Sequence, residues 1–129
     1  MSTDMMPFET SRAPINSLPY SQAIIAGDVL YTSGQVPVDP ETGQLVPGGI
    51  EAQTERVLES IKAIVEDAGS TMARVVKMTV YLQDLEDFDR VNEIYARYFP
   101  ESPPARTTVG ANLRESRLVE MDAVALMSG

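Results

Sequence analysis

The chain has 129 residues, of which 43% are hydrophobic and 22% charged, so residues 1–129 read as one domain with a single core and no room for a second. It contains no Cys and no His, which removes disulfide frameworks, thiol nucleophiles, Ser-His-Asp triads, zinc clusters and haem attachment. Ten basic against 19 acidic residues give a formal charge of -9, which repels phosphate backbones and argues against a nucleic-acid partner.

No apolar run approaches the ~18 residues of a membrane span. Met1 to Thr10, with Asp4 and Glu9, has neither a signal-peptide core nor an Arg-rich transit character, so a cytoplasmic location and no membrane partner are expected. Residues 1 to about 12 lack periodicity and read as a loose arm or irregular edge segment. Ala23 to Ala26 and Val29 to Ser33 are β-prone runs separated by Gly27-Asp28, a tight-hairpin signal. The prolines and the Asp39-Pro40-Glu41-Thr42-Gly43 step then predict a turn, and the chain stays in loop up to Gly48-Gly49.

Ile50 to Ala68 is the clearest helix: Val57, Leu58, Ile61, Ile64, Val65 and Ala68 recur on one face, and Gly69 supplies the stop. Arg74 to Leu82 alternates as a strand, with Val76, Met78, Val80 and Leu82 on one face. A second helix is expected from about Leu85 to Phe99, with Asp84 as its cap, Phe88, Val91, Tyr95 and Tyr98 as its buried stripe and Pro100 as its end. Ala105 to Ala111 and Leu118 to Leu126 read as closing strands. The order β-β-α-β-α-β-β is an α+β fold, a mixed sheet with both helices on one face. The face left open, with apolar residues on both sides of Leu118 to Leu126, predicts self-association.

Candidate chemistry is sparse and each candidate has a plain alternative. Arg106 follows the stiff Pro103-Pro104 step at the start of a strand; a guanidinium held there offers a fork for a carboxylate, or else pairs with an acidic neighbour. Glu120 and Asp122 share one side of an otherwise apolar strand, where burial and like charge raise a carboxyl pKa toward general-base use, or where they are ordinary charges on an exposed strand. Tyr20 is a pocket wall with a hydroxyl to donate, or core packing beside Pro19. Ser33-Gly34 offers a hydroxyl and a close backbone approach, or simple turn punctuation. Asn92 is a polar pocket residue or a surface amide. Gly48-Gly49 matches no phosphate-binding pattern, and the seven Met residues read as packing.

Taken in order, Pro19-Tyr20-Ser21-Gln22-Ala23, Tyr31 to Pro37, Gln53, Val76 to Leu82, Asp84-Leu85, Phe88 with Val91-Asn92, Pro104-Ala105-Arg106 and Val119 to Ala123 resemble the reactive-intermediate deaminases of the RidA/YjgF family. The resemblance implies a chorismate-mutase-like α+β fold, a homotrimer with a central barrel, and active sites between subunits. It implies hydrolysis of 2-imino acids and enamines, such as 2-iminopropanoate or 2-iminobutanoate, to 2-oxo acids and ammonia without a cofactor or metal. On that resemblance Arg106 binds the substrate carboxylate, Glu120 activates water, and Tyr20, Ser33, Gly34, Asn92 and Thr108 line the pocket. Leu18 replaces a usual glycine and Thr108 a frequent cysteine, and Thr107 to Val119 looks short. The competing readings are a non-catalytic trimer that binds 2-oxo acids and, disfavoured by the charge, a ribonuclease or translation inhibitor.

Overall fold

The computed structural model describes residues 4–127, and its first strand decides between the two readings of the N-terminal segment: it is no loose arm but an edge segment, and a regular one. β1 (Met5–Phe8) pairs antiparallel with β2 (Ala23–Ala26), Pro7 lying opposite Ile24. A proline is tolerated because this is a sheet edge, where a missing N–H breaks no central ladder. The segment after it is also tied down: Thr10 Oγ1 donates to Asp67 at 2.6 Å, and Arg12 Nη1 pairs with the same carboxylate at 2.7 Å. These anchors lie more than fifty residues away in sequence, so local periodicity carries no trace of them. The first residues of the expected arm, 1–3, lie outside the described residues.

β2 turns through Gly27, at φ +58°, into β3 (Val29–Thr32). The expected turn at residues 39–43 closes through Gly43 N–H to the Asp39 carbonyl at 2.8 Å. α1 (Ile50–Asp67) buries Val57, Leu58, Ile61, Ile64 and Val65 completely. Those five side chains face Met78, Val80, Leu82, Val119 and Met121 of the sheet in one core cluster, and burying each stabilises by roughly 1.5–3 kcal/mol before entropy is counted. Gly69, at φ +100°, ends the helix region as expected.

β4 (Val75–Leu82) departs from the expected alternation at its start. A bulge between Val75 and Lys77 puts Val75 into the core and leaves Val76 42% exposed, while Met78, Val80 and Leu82 keep the core face. Asp84 caps only a short turn at 85–87, its Oδ1 accepting from Glu86 N–H at 2.9 Å. α2 (Phe88–Tyr98) therefore starts three residues later than expected, and its buried stripe is Val91, Ile94 and Tyr95. Phe88, expected in that stripe, is 41% exposed at the helix start. β5 (Ala105–Gly110) pairs parallel with β4, and β6 (Val119–Leu126) runs antiparallel between β3 and β4.

The six strands lie in the order β1-β2-β3-β6-β4-β5, with both helices in the core on one face. The opposite face carries Tyr31, Val109 and Leu126, all exposed. Among the described residues, no helix is long and apolar enough to cross a membrane.

Candidate active site in two halves

Parallel pairing decides where Arg106 points. Its register partner is the buried Met78, and Thr108 likewise pairs with buried Val80, so both side chains leave β5 on the helix-covered face. There the Arg106 guanidinium carbon lies 4.7 Å from the ring centre of Tyr95 and 5.4 Å from that of Phe88. Asn92, half-buried, sits on α2 four residues after Phe88 and three before Tyr95, and so on the same side of the helix. The exposed Phe88 thus serves as one side of the arginine's aromatic seat.

Arg12, Arg90 and Arg114 each meet a carboxylate within 4.0 Å, but among the described residues Arg106 forms no ion pair. A half-buried guanidinium stacked on two rings with its donors unclaimed by any carboxylate is a ready seat for an anion. The Tyr95 hydroxyl beneath it is buried and makes no well-formed hydrogen bond. Burial pushes its pKa up to about 12, with the Arg106 charge pulling the other way, so the phenol stays neutral.

Glu120 belongs to the other face. Its neighbours Val119 and Met121 are buried toward the helices, and its register partner is Tyr81. Asp122 projects on the same side as expected, but the two carboxylates have separate tasks. Asp122 accepts the Tyr81 hydroxyl at 3.0 Å, whereas the Glu120 carboxylate lies against the Cα of Gly34, so close that a Cβ there would collide with Oε2. Burial raises the Glu120 pKa above 4.5, opposed by the nearby positive charge of Arg117 and assisted by Asp122.

Gly34 is held in place by its neighbour: Gln35 N–H donates to the Met121 carbonyl at 2.7 Å and Gln35 accepts from Met121 N–H at 3.2 Å. Ser33 donates its hydroxyl to the Ser21 carbonyl, which ties the strand end to the Tyr20 segment. Tyr20 and Gly34 line one cleft of about 330 Å³ together with Phe8, Ile15, Asn16 and Gln35. Leu18 is not part of that lining; it shapes the cleft through its backbone, which accepts Tyr20 N–H at 2.7 Å and donates to Asn16 Oδ1 at 2.8 Å.

The candidates therefore form two groups. Arg106, Thr108 and Asn92 lie on the helix side at the β5 edge, and Tyr20, Ser33, Gly34 and Glu120 gather at the other face near β3 and β6. The sheet stands between them. Among the described residues no group of three or more His, Asp or Glu is placed to hold a metal ion.

A family model described as Endoribonuclease L-PSP matches residues 10–127. A RutC family protein of Pyrococcus abyssi is 52% identical over 117 residues, covering 90% of this chain and 92% of that one. The 2-iminobutanoate/2-iminopropanoate deaminase of Bos taurus is 42% identical over 118 residues, covering 91% of this chain and 86% of the bovine one. A solved structure from Yersinia pestis, a member of the conserved Rid protein family, superposes with a TM-score of 0.92 at 41% identity, over 96% of this chain and 100% of that one.

The chain belongs to the RidA/YjgF family. For this RidA/YjgF chain the loop before β6, whose length looked short, is held by a residue that composition does not single out. Buried Gln53 of α1 accepts Leu118 N–H at 2.7 Å and donates to the Ser116 carbonyl at 3.3 Å. Glu115 and Ser116, at φ +47° and +62°, make the tight turn that allows a short connection without proline. Gln53 thereby sets where β6, and with it Glu120, begins.

Proposed function

We propose that this chain hydrolyses 2-imino acids and their enamine tautomers to 2-oxo acids and ammonia, in sites that two copies of the chain build together. The observation that carries the reading is Arg106: a half-buried guanidinium seated on Phe88 and Tyr95 that forms no ion pair among the described residues, in a protein whose formal charge is -9. Other cations, Arg97, Arg117, Lys62 and Lys77 among them, also form no ion pair among the described residues; Arg106 differs in being half-buried on two rings beside the unpartnered Tyr95 hydroxyl, a seat that a small anion completes. Family membership and the name of the bovine relative support the same substrate class. The Endoribonuclease name of the family model points to RNA instead, against which the net charge and the lack of His weigh.

The chemistry asks little of the protein. Arg106 holds the substrate carboxylate through two parallel N–H···O bonds and so fixes the imine carbon C2. Glu120, ionised, takes a proton from a water whose oxygen adds to C2, while the C=N electron pair moves to nitrogen, which takes up a proton from solvent that is returned when the hydroxyl proton is finally lost. In the resulting carbinolamine the proton on Glu120 passes to nitrogen. The C–N bond then breaks, ammonia leaves, and loss of the hydroxyl proton gives the 2-oxo acid. One water is consumed and one ammonia released.

Because Arg106 and Glu120 emerge on opposite faces of one sheet, they act on one substrate only if the Glu120 side of one copy meets the Arg106 side of another. A homotrimer with its open sheet faces turned inward covers Tyr31, Val109 and Leu126, and it joins the two half-sites where the β5 edge that carries Arg106 abuts the Glu120 side of the next copy.

Two results test the Glu120 half. The pH profile of kcat/KM is expected to rise through the Glu120 pKa, with a midpoint above that of an ordinary glutamate, because the carboxylate must be ionised to accept a proton and burial resists ionisation. Glu120→Gln should remove that limb and lower the rate about a hundredfold or more; an unchanged limb would assign the base elsewhere. Gly34→Ala should be nearly neutral for folding, since residue 34 has no left-handed φ and the three atoms nearest its new methyl all belong to the flexible Glu120 side chain. The displaced carboxylate should cost about tenfold or more in kcat/KM, with thermal melting within a few degrees of wild type. Wild-type turnover in this variant would show that the carboxylate's seat on Gly34 is irrelevant.

A further inference from the structure

The cleft beside Gly34 contains one contact that fixes the direction of a proton. Asn16 makes two hydrogen bonds with its side-chain amide: Oδ1 accepts Leu18 N–H at 2.8 Å, and Nδ2 lies 2.9 Å from the Tyr20 hydroxyl. The backbone N–H of Leu18 is a donor only, so it must face the amide oxygen, which leaves the NH2 group for Tyr20. An NH2 group donates only, so the Tyr20 oxygen accepts there and its own O–H proton points elsewhere. Tyr20 N–H is bound to the Leu18 carbonyl at 2.7 Å, so the loop from residue 16 to 20 is closed by three hydrogen bonds. Asn16 and Tyr20 both line the cleft with Gly34, against which the Glu120 carboxylate lies.

We infer that Asn16 is a positioning residue: it occupies the lone-pair side of Tyr20 so that the phenol presents its proton to the bound acid, as a hydrogen-bond donor to an oxygen or imine nitrogen. The inference rests on the deaminase reading for its substrate class. It makes Tyr20 selective for ligands that accept at this point, an imine, a 2-oxo group or a carboxylate, over amines in their protonated form, which only donate.

Asn16→Asp tests the polarity without removing the turn. Aspartate still accepts Leu18 N–H, but its second oxygen is an acceptor, so Tyr20 must turn its proton toward residue 16 and away from the ligand. Both residues are exposed, so the aspartate is ionised at neutral pH and the turn needs no repacking. Imine hydrolysis is measured for wild type, Asn16→Asp, Tyr20→Phe and the double variant, each checked by thermal melting. Asn16→Asp and Tyr20→Phe are expected to lower kcat/KM by a similar factor, about tenfold, and the double variant by no more than either alone.

A loss caused only by the added negative charge, or by a disturbed loop, would persist in the Tyr20→Phe background and multiply, which overturns the inference. Wild-type rates in either single variant overturn it too. The same four proteins are titrated with pyruvate by calorimetry. If wild type binds pyruvate without hydrolysing imines, the deaminase reading fails alone: parallel, non-additive weakening in Asn16→Asp and Tyr20→Phe then upholds the assignment. Unaltered pyruvate affinity in either variant, or no pyruvate binding by wild type, overturns it.

Discussion

Arg106→Ala is expected to lower kcat/KM for 2-iminopropanoate by about two to four orders of magnitude. The figure follows from losing two charge-assisted hydrogen bonds of about 1.5–3 kcal/mol each. Arg106→Lys should recover little of it, because an ammonium keeps the charge but lacks the planar fork and the fit over Phe88 and Tyr95. The folding cost should be small by comparison. Two cation-π contacts of roughly 0.5–1 kcal/mol each are lost, and no carboxylate is left unpaired because Arg106 forms no ion pair among the described residues. The measurement is semicarbazide trapping of 2-iminopropanoate made in situ by an amino-acid oxidase acting on alanine. Wild type should suppress the trapped product and Arg106→Ala should leave it as high as no protein at all. Equal suppression by both proteins would remove Arg106 from the chemistry, and no suppression by either would remove this substrate.

The parts of the molecule that were legible in the sequence are those whose signal is local. α1 announces itself because five aliphatic residues recur at helical spacing and all five are buried. β6 does so because Val119, Met121, Ala123 and Ala125 alternate with less buried residues. Glu120 stands out as a charge in an otherwise apolar strand, and Arg106 as a guanidinium fixed by the Pro103-Pro104 step before its strand. What stayed illegible depends on pairing between distant segments. The faces of Arg106 and Glu120 follow from a parallel register with β4 and an antiparallel one, and a one-residue change in either would reverse them. The bulge at Val75 and Lys77 had no local marker, so the first residues of β4 were assigned to the wrong faces. β1 lacks an amphipathic pattern because it is an exposed edge. The polar residues that position the site, Asn16 and Gln53, work through single amides to the backbone or one hydroxyl, and a lone amide in a sequence looks the same whether it does this or faces water.

The opposite faces of Arg106 and Glu120 lead to the sharpest expectation of all: two inactive proteins should become active when assembled together. In a cyclic trimer with shared sites, each site takes its arginine from one subunit and its carboxylate from the next. Arg106→Ala chains still carry Glu120, and Glu120→Gln chains still carry Arg106. Whenever both kinds occupy one ring, in either two-to-one ratio, about one of its three junctions joins an intact arginine to an intact carboxylate. Co-expression with two different affinity tags, followed by purification on both, isolates the mixed rings. They should show roughly one-third of wild-type turnover, against a loss of about a hundredfold or more in either parent. A site contained within one chain cannot behave this way, because every chain in the mixture lacks one of the two groups. Mixed trimers, verified by native mass spectrometry, that remain as inactive as their parents would break the link between the two half-sites. If the particle is instead a monomer by light scattering, the sheet keeps Arg106 and Glu120 apart and no single substrate reaches both.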